Sequence, residues 1–265
     1  MESLKSINIA ISPCPNDTFI FGYLLNHLIE WNGPEIKVDY LDIQALNEAV
    51  LSGENKYDFI KCFYAVYPKI SKAYDLSMVG GALGLGVGPL LVGKPGLKME
   101  ERSVVYIPGY DTTAYQLLKL YGPKGIEVKP LRYDLLIEEL CKNEKAMGVV
   151  IHESRFTYES LGLELLIDLG DAWEKDTSMP LPLGGPVIKK SMSEKLKEEL
   201  VDAIKASLSA AWKDRSPIVD YMGKHAQEMD LEVMSSHIDL YVNDYSLNLG
   251  EKGLAAINKL TGFSA

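Results

Sequence analysis

The chain has 265 residues, long enough to bury one large core or two modest ones. Its 27 basic and 37 acidic side chains leave a formal charge of −10 that is spread along the chain. A diffuse acidic balance of this kind argues against nucleic acid and against anionic membrane surfaces as partners.

The three cysteines, Cys14, Cys62 and Cys141, are widely spaced and form no CxxC pair. Neither a disulfide framework nor a structural zinc site is expected, and the compartment reads as reducing. No apolar run of useful length precedes Pro13 and Pro15, so a signal peptide is not expected. The most apolar stretch, residues 78–92, is broken by Gly80, Gly81, Gly84, Gly86, Gly88 and Pro89, which rules it out as a membrane span. A cytoplasmic protein is the expectation.

In chain order, residues 7–12 read as a buried strand and 19–31 as a helix. A strand at 36–41 follows, then a helix at 43–51, a strand at 58–62 and a helix at 65–73 interrupted near Pro68. Residues 79–94 change character and read as a long, glycine-rich extended crossing. A second series then begins, with strands at 104–107, 127–131, 148–151 and 163–168 and helices at 113–121 and 134–142. After the Pro/Gly-rich segment PLPLGGP, residues 187–189 read as a return strand. From Ser191 the chain is almost wholly helical, with Ser191 and Glu194 fitting a capping box. Leu196, Leu200, Ala203, Ile204, Leu208 and Ala211 repeat at helical spacing, and further helices are expected at 218–227, 231–241 and 250–261.

Strands alternating with helices imply mainly parallel sheets covered on both faces. Two such series joined by two extended crossings predict a discontinuous first lobe, residues 1–88 plus 190–265, and a second lobe of residues 89–189. That is the α/β architecture of type II periplasmic binding proteins: two lobes with central mixed sheets, a hinge of two crossing strands and a ligand cleft between them.

Polar groups gather at the expected carboxyl ends of strands, where open α/β sheets bind ligands. The first is Ser12-Pro-Cys-Pro-Asn-Asp-Thr-Phe19, stiffened by two prolines, with Asn16, Asp17 or Thr18 available to cap the next helix. Its plainer reading is a rigid capped loop, and Cys14 has no nameable partner that would make it a nucleophile. Lys61 ends another strand, either as an exposed lysine or as a cation for a carboxylate. Pro108–Ala114 leads into a helix start where backbone N–H groups and the Thr112 and Thr113 hydroxyls offer donors to an anion. No GxGxxG or Walker motif is present, so that anion is not a nucleotide phosphate.

His152 follows an apolar strand, and an imidazole there suits proton transfer at neutral pH. HExxH is absent, which excludes a zincin. His27, His225 and His237 lie in helical patterns among polar neighbours and read as surface or satisfied residues.

SPCPNDTF, TTA at a helix start, IHExRFTY and DLGxxWE…PLPLGG (Asp168–Glu174, Pro180–Gly185) occur here in one order. Together they resemble the 1,4-dihydroxy-6-naphthoate synthases of the futalosine route to menaquinone. The resemblance implies the binding-protein fold, with no metal or organic cofactor and a small-molecule carboxylate as partner. The implied reaction cleaves cyclic dehypoxanthine futalosine to 1,4-dihydroxy-6-naphthoate and releases a small sugar-derived fragment. It puts the catalytic base on His152 and substrate contacts on Thr113 and Ala114 and on Lys61, Cys62 and Phe63. Ser12 and Asn16 are further candidate substrate contacts. The family's usual Lys-x-Ser reads Lys61-Cys62-Phe63 here, a ring in place of a small hydroxyl. Two alternatives stay open: a non-catalytic cytosolic carboxylate-binding protein, and a chorismate dehydratase-like enzyme of the same fold.

Overall fold

The computed structural model describes residues 5–98, 102–151, 154–226 and 231–263. The chain divides into two compact units, Met1–Leu83 with Leu183–Ala255 and Gly84–Pro182 with Ala256–Ala265.

The first unit begins with strand β1 (Ser6–Ile11), helix α1 (Pro15–Leu25), β2 (Glu35–Tyr40), α2 (Ile43–Leu51) and β3 (Phe59–Phe63). Helix α3 (Tyr67–Ile70), β4 (Tyr74–Leu76) and β5 (Ala82–Gly84) complete its first segment. The second unit carries β6 (Leu90–Gly93), β7 (Val104–Ile107), α4 (Thr113–Tyr121), β8 (Glu127–Pro130), α5 (Tyr133–Lys142), β9 (Met147–Val150), α6 (Ser154–Thr157), β10 (Glu164–Asp168) and α7 (Leu169–Thr177). Strand β11 (Leu181–Lys189) leads back to α8 (Glu194–Lys213), α9 (Val219–His225), α10 (Leu231–Tyr241), α11 (Asp244–Leu247) and α12 (Gly250–Thr261).

In the first sheet the order is β2-β1-β3-β11-β4, with β5 on β11. Strands β2, β1 and β3 are parallel, while β11 runs antiparallel to β3 and β4. The parallel strands therefore present their carboxyl ends at one edge, with Ser12 following β1 and Phe63 closing β3. The core beneath is built from Ile7, Ile9 and Ile11 of β1, Phe19, Phe21 and Leu24 of α1, and Leu200, Ile204 and Leu208 of α8. Ser207 of α8 is fully buried, yet its hydroxyl donates to the Ile20 carbonyl at 2.7 Å and accepts from Leu24 N–H at 3.2 Å, so no polar group is orphaned in that contact.

The second sheet has the order β10-β6-β9-β7-β8. Strands β9, β7 and β8 are parallel, and β6 is antiparallel to both β9 and β10. Leu90, Val92 and Val150 pack here with Leu136 and Leu140 of α5. Both sheets are mixed, in line with the expected fold class.

Local chemistry moved several boundaries. Helix α1 starts at Pro15 rather than Phe19, because proline at the first helical position needs no N–H partner and has its φ already set. It ends at Leu25 rather than at Trp31, where His27 takes a left-handed φ of 56° and the Leu28 and His27 N–H groups bond back to the Tyr23 and Leu24 carbonyls. The cap of α8 is Ser193, which accepts from Leu196 N–H, and not Ser191.

Strand β11 includes most of the segment read as a loop. Gly184 and Gly185 are required there by close approach. A Cβ at Gly184 would lie 2.7 Å from the Cys62 carbonyl oxygen, and one at Gly185 would lie 2.1 Å from the Tyr64 hydroxyl.

Candidate functional site

The loop after β1 is organised by Asp17, a residue read from the sequence only as a possible cap. The N-cap of α1 is Cys14, with no side-chain cap. Asp17 sits in the first helical turn and reaches back, its Oδ2 accepting from Ser12 N–H at 3.0 Å and from the Ser12 hydroxyl at 2.5 Å. Its Oδ1 accepts from Asn16 Nδ2 at 3.2 Å and from the Lys61 ammonium. Asp17 is 0% exposed and Lys61 5%, so this is a buried ion pair joining the loop after β1 to β3. Three of the expected site residues, Ser12, Asn16 and Lys61, thus converge on one carboxylate. The Lys61 cation is committed to Asp17 and is not an exposed lysine.

Cys62, next on β3, is fully buried. Burial pushes its thiol up to about 12, against the opposing pull of the Lys61 ammonium, so it remains protonated and acts as a packing group. Phe63 is half-buried, and its N–H donates to Asn47 Oδ1 of α2 at 3.0 Å. Tyr64 follows, buried in the slot made by Gly81 and Gly185.

In the second unit α4 starts as expected. Thr112 is the N-cap, its hydroxyl accepting from Tyr115 N–H at 3.2 Å and donating to the Gly109 carbonyl at 2.7 Å. The Thr113 hydroxyl donates to the Pro182 carbonyl at 3.1 Å. Both hydroxyls donate within the unit. The donors left to an anion are the backbone N–H groups of the first turn, where the helix dipole favours negative charge. Thr113 and Ala114 are each 3% exposed.

Strand β9 leads to Ile151, and its neighbour β7 runs parallel to it, so the β9 end and the α4 start lie at one edge of the second sheet. His152 and Glu153 lie outside the described residues. Among the described residues no group of three or more His, Cys, Asp or Glu is placed to hold a metal ion. No helix among them is long and apolar enough to cross a membrane.

The DLGxxWE segment is architectural. Asp168 caps α7 by accepting from Asp171 N–H at 2.9 Å. Gly170 passes the Val87–Gly88 backbone so closely that a Cβ would lie 2.2 Å from the Val87 carbonyl oxygen. The fully buried Trp173 donates its indole N–H to the Met179 and Pro180 carbonyls at 3.1 and 3.3 Å. Glu174 accepts from Gly86 N–H at 2.6 Å, holding a glycine with a left-handed φ of 67°.

A family model described as menaquinone biosynthesis matches residues 7–265. A 1,4-dihydroxy-6-naphthoate synthase of Thermus thermophilus is 39% identical over 257 residues, covering 97% of this chain and 93% of that protein. The protein of the same name from Streptomyces coelicolor is 38% identical over 263 residues, covering 97% and 92%. Among solved structures, a protein from Archaeoglobus fulgidus superposes with a TM-score of 0.85 at 29% identity, over 97% of this chain and 96% of that one. The aliphatic sulphonate binding protein of Escherichia coli superposes at 0.61 with 11% identity, over 98% and 86%, a likeness of fold alone. The fold is thus that of the periplasmic binding proteins, and the chain belongs to the menaquinone-biosynthesis family that includes the 1,4-dihydroxy-6-naphthoate synthases.

Proposed function

We propose that this chain is a cytoplasmic carbon–carbon lyase that converts cyclic dehypoxanthine futalosine to 1,4-dihydroxy-6-naphthoate, with His152 as general base. The observation that carries this reading is the identity of 38–39% across 97% of the chain to two enzymes bearing the synthase name. Topology adds support. The substrate carboxylate is assigned to the first turn of α4 at Thr113 and Ala114. Position 152 comes two residues after β9, the parallel neighbour of the strand that leads to that turn.

The chemistry follows from the reaction. The base removes the proton of a hydroxyl on the carbon being released; a carbonyl forms there as the adjacent carbon–carbon bond breaks. The bonding electron pair passes into the ring system that becomes the aromatic naphthoate. In the first unit Ser12, Asn16 and the Lys61–Phe63 segment are further candidate substrate contacts, on a loop and a strand braced by Pro13, Pro15 and the Asp17–Lys61 pair. Phe63 supplies a ring where the family's usual segment has a small hydroxyl residue.

Purified protein offered cyclic dehypoxanthine futalosine and chorismate in parallel is expected to consume only the first and to yield the naphthoate, followed by its absorbance. Consumption of chorismate would favour the dehydratase alternative, and binding without consumption would favour a carboxylate receptor.

The carboxylate assignment has its own test. Thr113→Val removes the hydrogen bond to Pro182 that braces the first turn of α4. It is expected to weaken substrate binding in calorimetry roughly three- to tenfold, with an unchanged circular dichroism spectrum. Equal affinity in the variant would remove Thr113 from the site.

A further inference from the structure

A second polar constellation in the first unit gathers at the carboxyl edge of its sheet and has no place in the mechanism above. Tyr40 is the last residue of β2 and pairs in register with Ile11, the residue before Ser12; Leu41 N–H bonds to the Ile11 carbonyl at 3.1 Å. Tyr40 therefore stands at the carboxyl edge of the first sheet, next to the Ser12–Asp17 loop.

Helix α9 brings in the remaining members. It packs on α1, and the turn before it approaches so closely that a Cβ at Gly22 would lie 2.9 Å from the Ile218 side chain. Burial first, then the Tyr40 hydroxyl, and last the Asp17 charge hold the Tyr221 phenol well above its usual range. The Tyr40 and Tyr221 hydroxyls are 2.7 Å apart, and either can be the donor. The His225 ring stacks on Tyr40 with centroids 3.9 Å apart at 22°, and meets Tyr221 edge-on at 4.9 Å and 68°.

All three side chains are half-buried, so they present a surface to solvent. The phenols are held protonated chiefly by burial, and burial with the nearby Lys224 pushes the imidazole down, so the cluster is uncharged near neutral pH. One proton satisfies the hydroxyl–hydroxyl bond, which leaves the second phenolic proton uncommitted. Among the described residues no hydrogen bond ties the imidazole nitrogens.

A neutral surface of aromatic faces, a phenolic donor and an imidazole suits a hydroxyl-bearing ligand better than an anion. Rings pack against C–H faces, while the polar tips exchange hydrogen bonds with hydroxyls. We propose that Tyr40, Tyr221 and His225 form the wall that receives the hydroxyl-rich, sugar-derived part of the substrate, the part lost as the small fragment. This assignment rests on the lyase reading above and adds specificity-determining residues to it.

Tyr221→Phe and Tyr40→Phe keep the rings and their stacking and remove one hydroxyl each. Each is expected to raise KM for cyclic dehypoxanthine futalosine roughly three- to tenfold, the loss of one neutral hydrogen bond. The affinity for 1,4-dihydroxy-6-naphthoate, which lacks the fragment, is expected to stay at the wild-type value in both. A purely structural role would move both affinities or neither. Wild-type turnover with unchanged KM in both variants, or a parallel loss of product affinity, overturns this inference alone. A wild type that neither binds nor converts the substrate overturns the lyase reading, and this one with it.

Discussion

Lys61→Met is expected to destabilise the protein by about 3–5 kcal/mol, the usual cost of removing one partner from a buried ion pair. Methionine matches the lysine stem in length, so the β3 packing is retained and the charge is what changes. The Asp17 carboxylate, 0% exposed, is left with Ser12 N–H, the Ser12 hydroxyl and Asn16 Nδ2 as donors. Those bonds orient the carboxylate but do not balance its charge. Adding Asp17→Asn to Lys61→Met removes the orphaned charge and is expected to recover a large part of the loss, because the cost lies in the unpaired ion rather than in the absent contact. Urea unfolding of the two variants and the parent measures both quantities. A loss below about 1 kcal/mol for Lys61→Met, the range of an exposed pair, would mean that the pair does not hold the Ser12–Asp17 loop.

Where short-range chemistry decides the structure, the sequence was legible. Helices α2, α4, α10 and α12 and strand β7 run between the residues that periodicity and capping assign to them. All six apolar positions read from the α8 repeat are buried. The failures have a common cause in tertiary context. Pro182, Gly184, Gly185 and Pro186 read as a loop, yet β11 is a central strand whose glycines are demanded by Cys62 and Tyr64, residues more than 100 positions earlier. Helix α7 was missed because Asp168 looked like a strand end, whereas its carboxylate starts the next helix.

The candidate site divides in the same way. Ser12, Asn16, Lys61 and the α4 start are visible as polar residues at strand ends. The Asp17–Lys61 pair joins positions 44 apart, and the Tyr40–Tyr221 pair positions 181 apart. Neither pairing leaves a periodic trace in one chain, since each depends on which strands become neighbours.

His152→Asn is expected to lower turnover at least about a hundredfold, within the 10²–10⁴-fold that a positioned general base contributes. Asparagine keeps much of the size and hydrogen-bonding capacity of the imidazole but cannot accept the hydroxyl proton at neutral pH. Binding is assigned to other groups, with the α4 start proposed for the carboxylate. Substrate affinity is therefore expected to change little, separating a catalytic role from a binding one. Glu153 is adjacent in sequence but is given no part in the step, so Glu153→Gln is the natural control. The measurement that tests the whole account most directly is the turnover number of wild type against His152→Asn at saturating cyclic dehypoxanthine futalosine. The account predicts naphthoate formation by the wild type and a rate lower by a hundredfold or more in the variant. A variant that forms naphthoate at nearly the wild-type rate would contradict it.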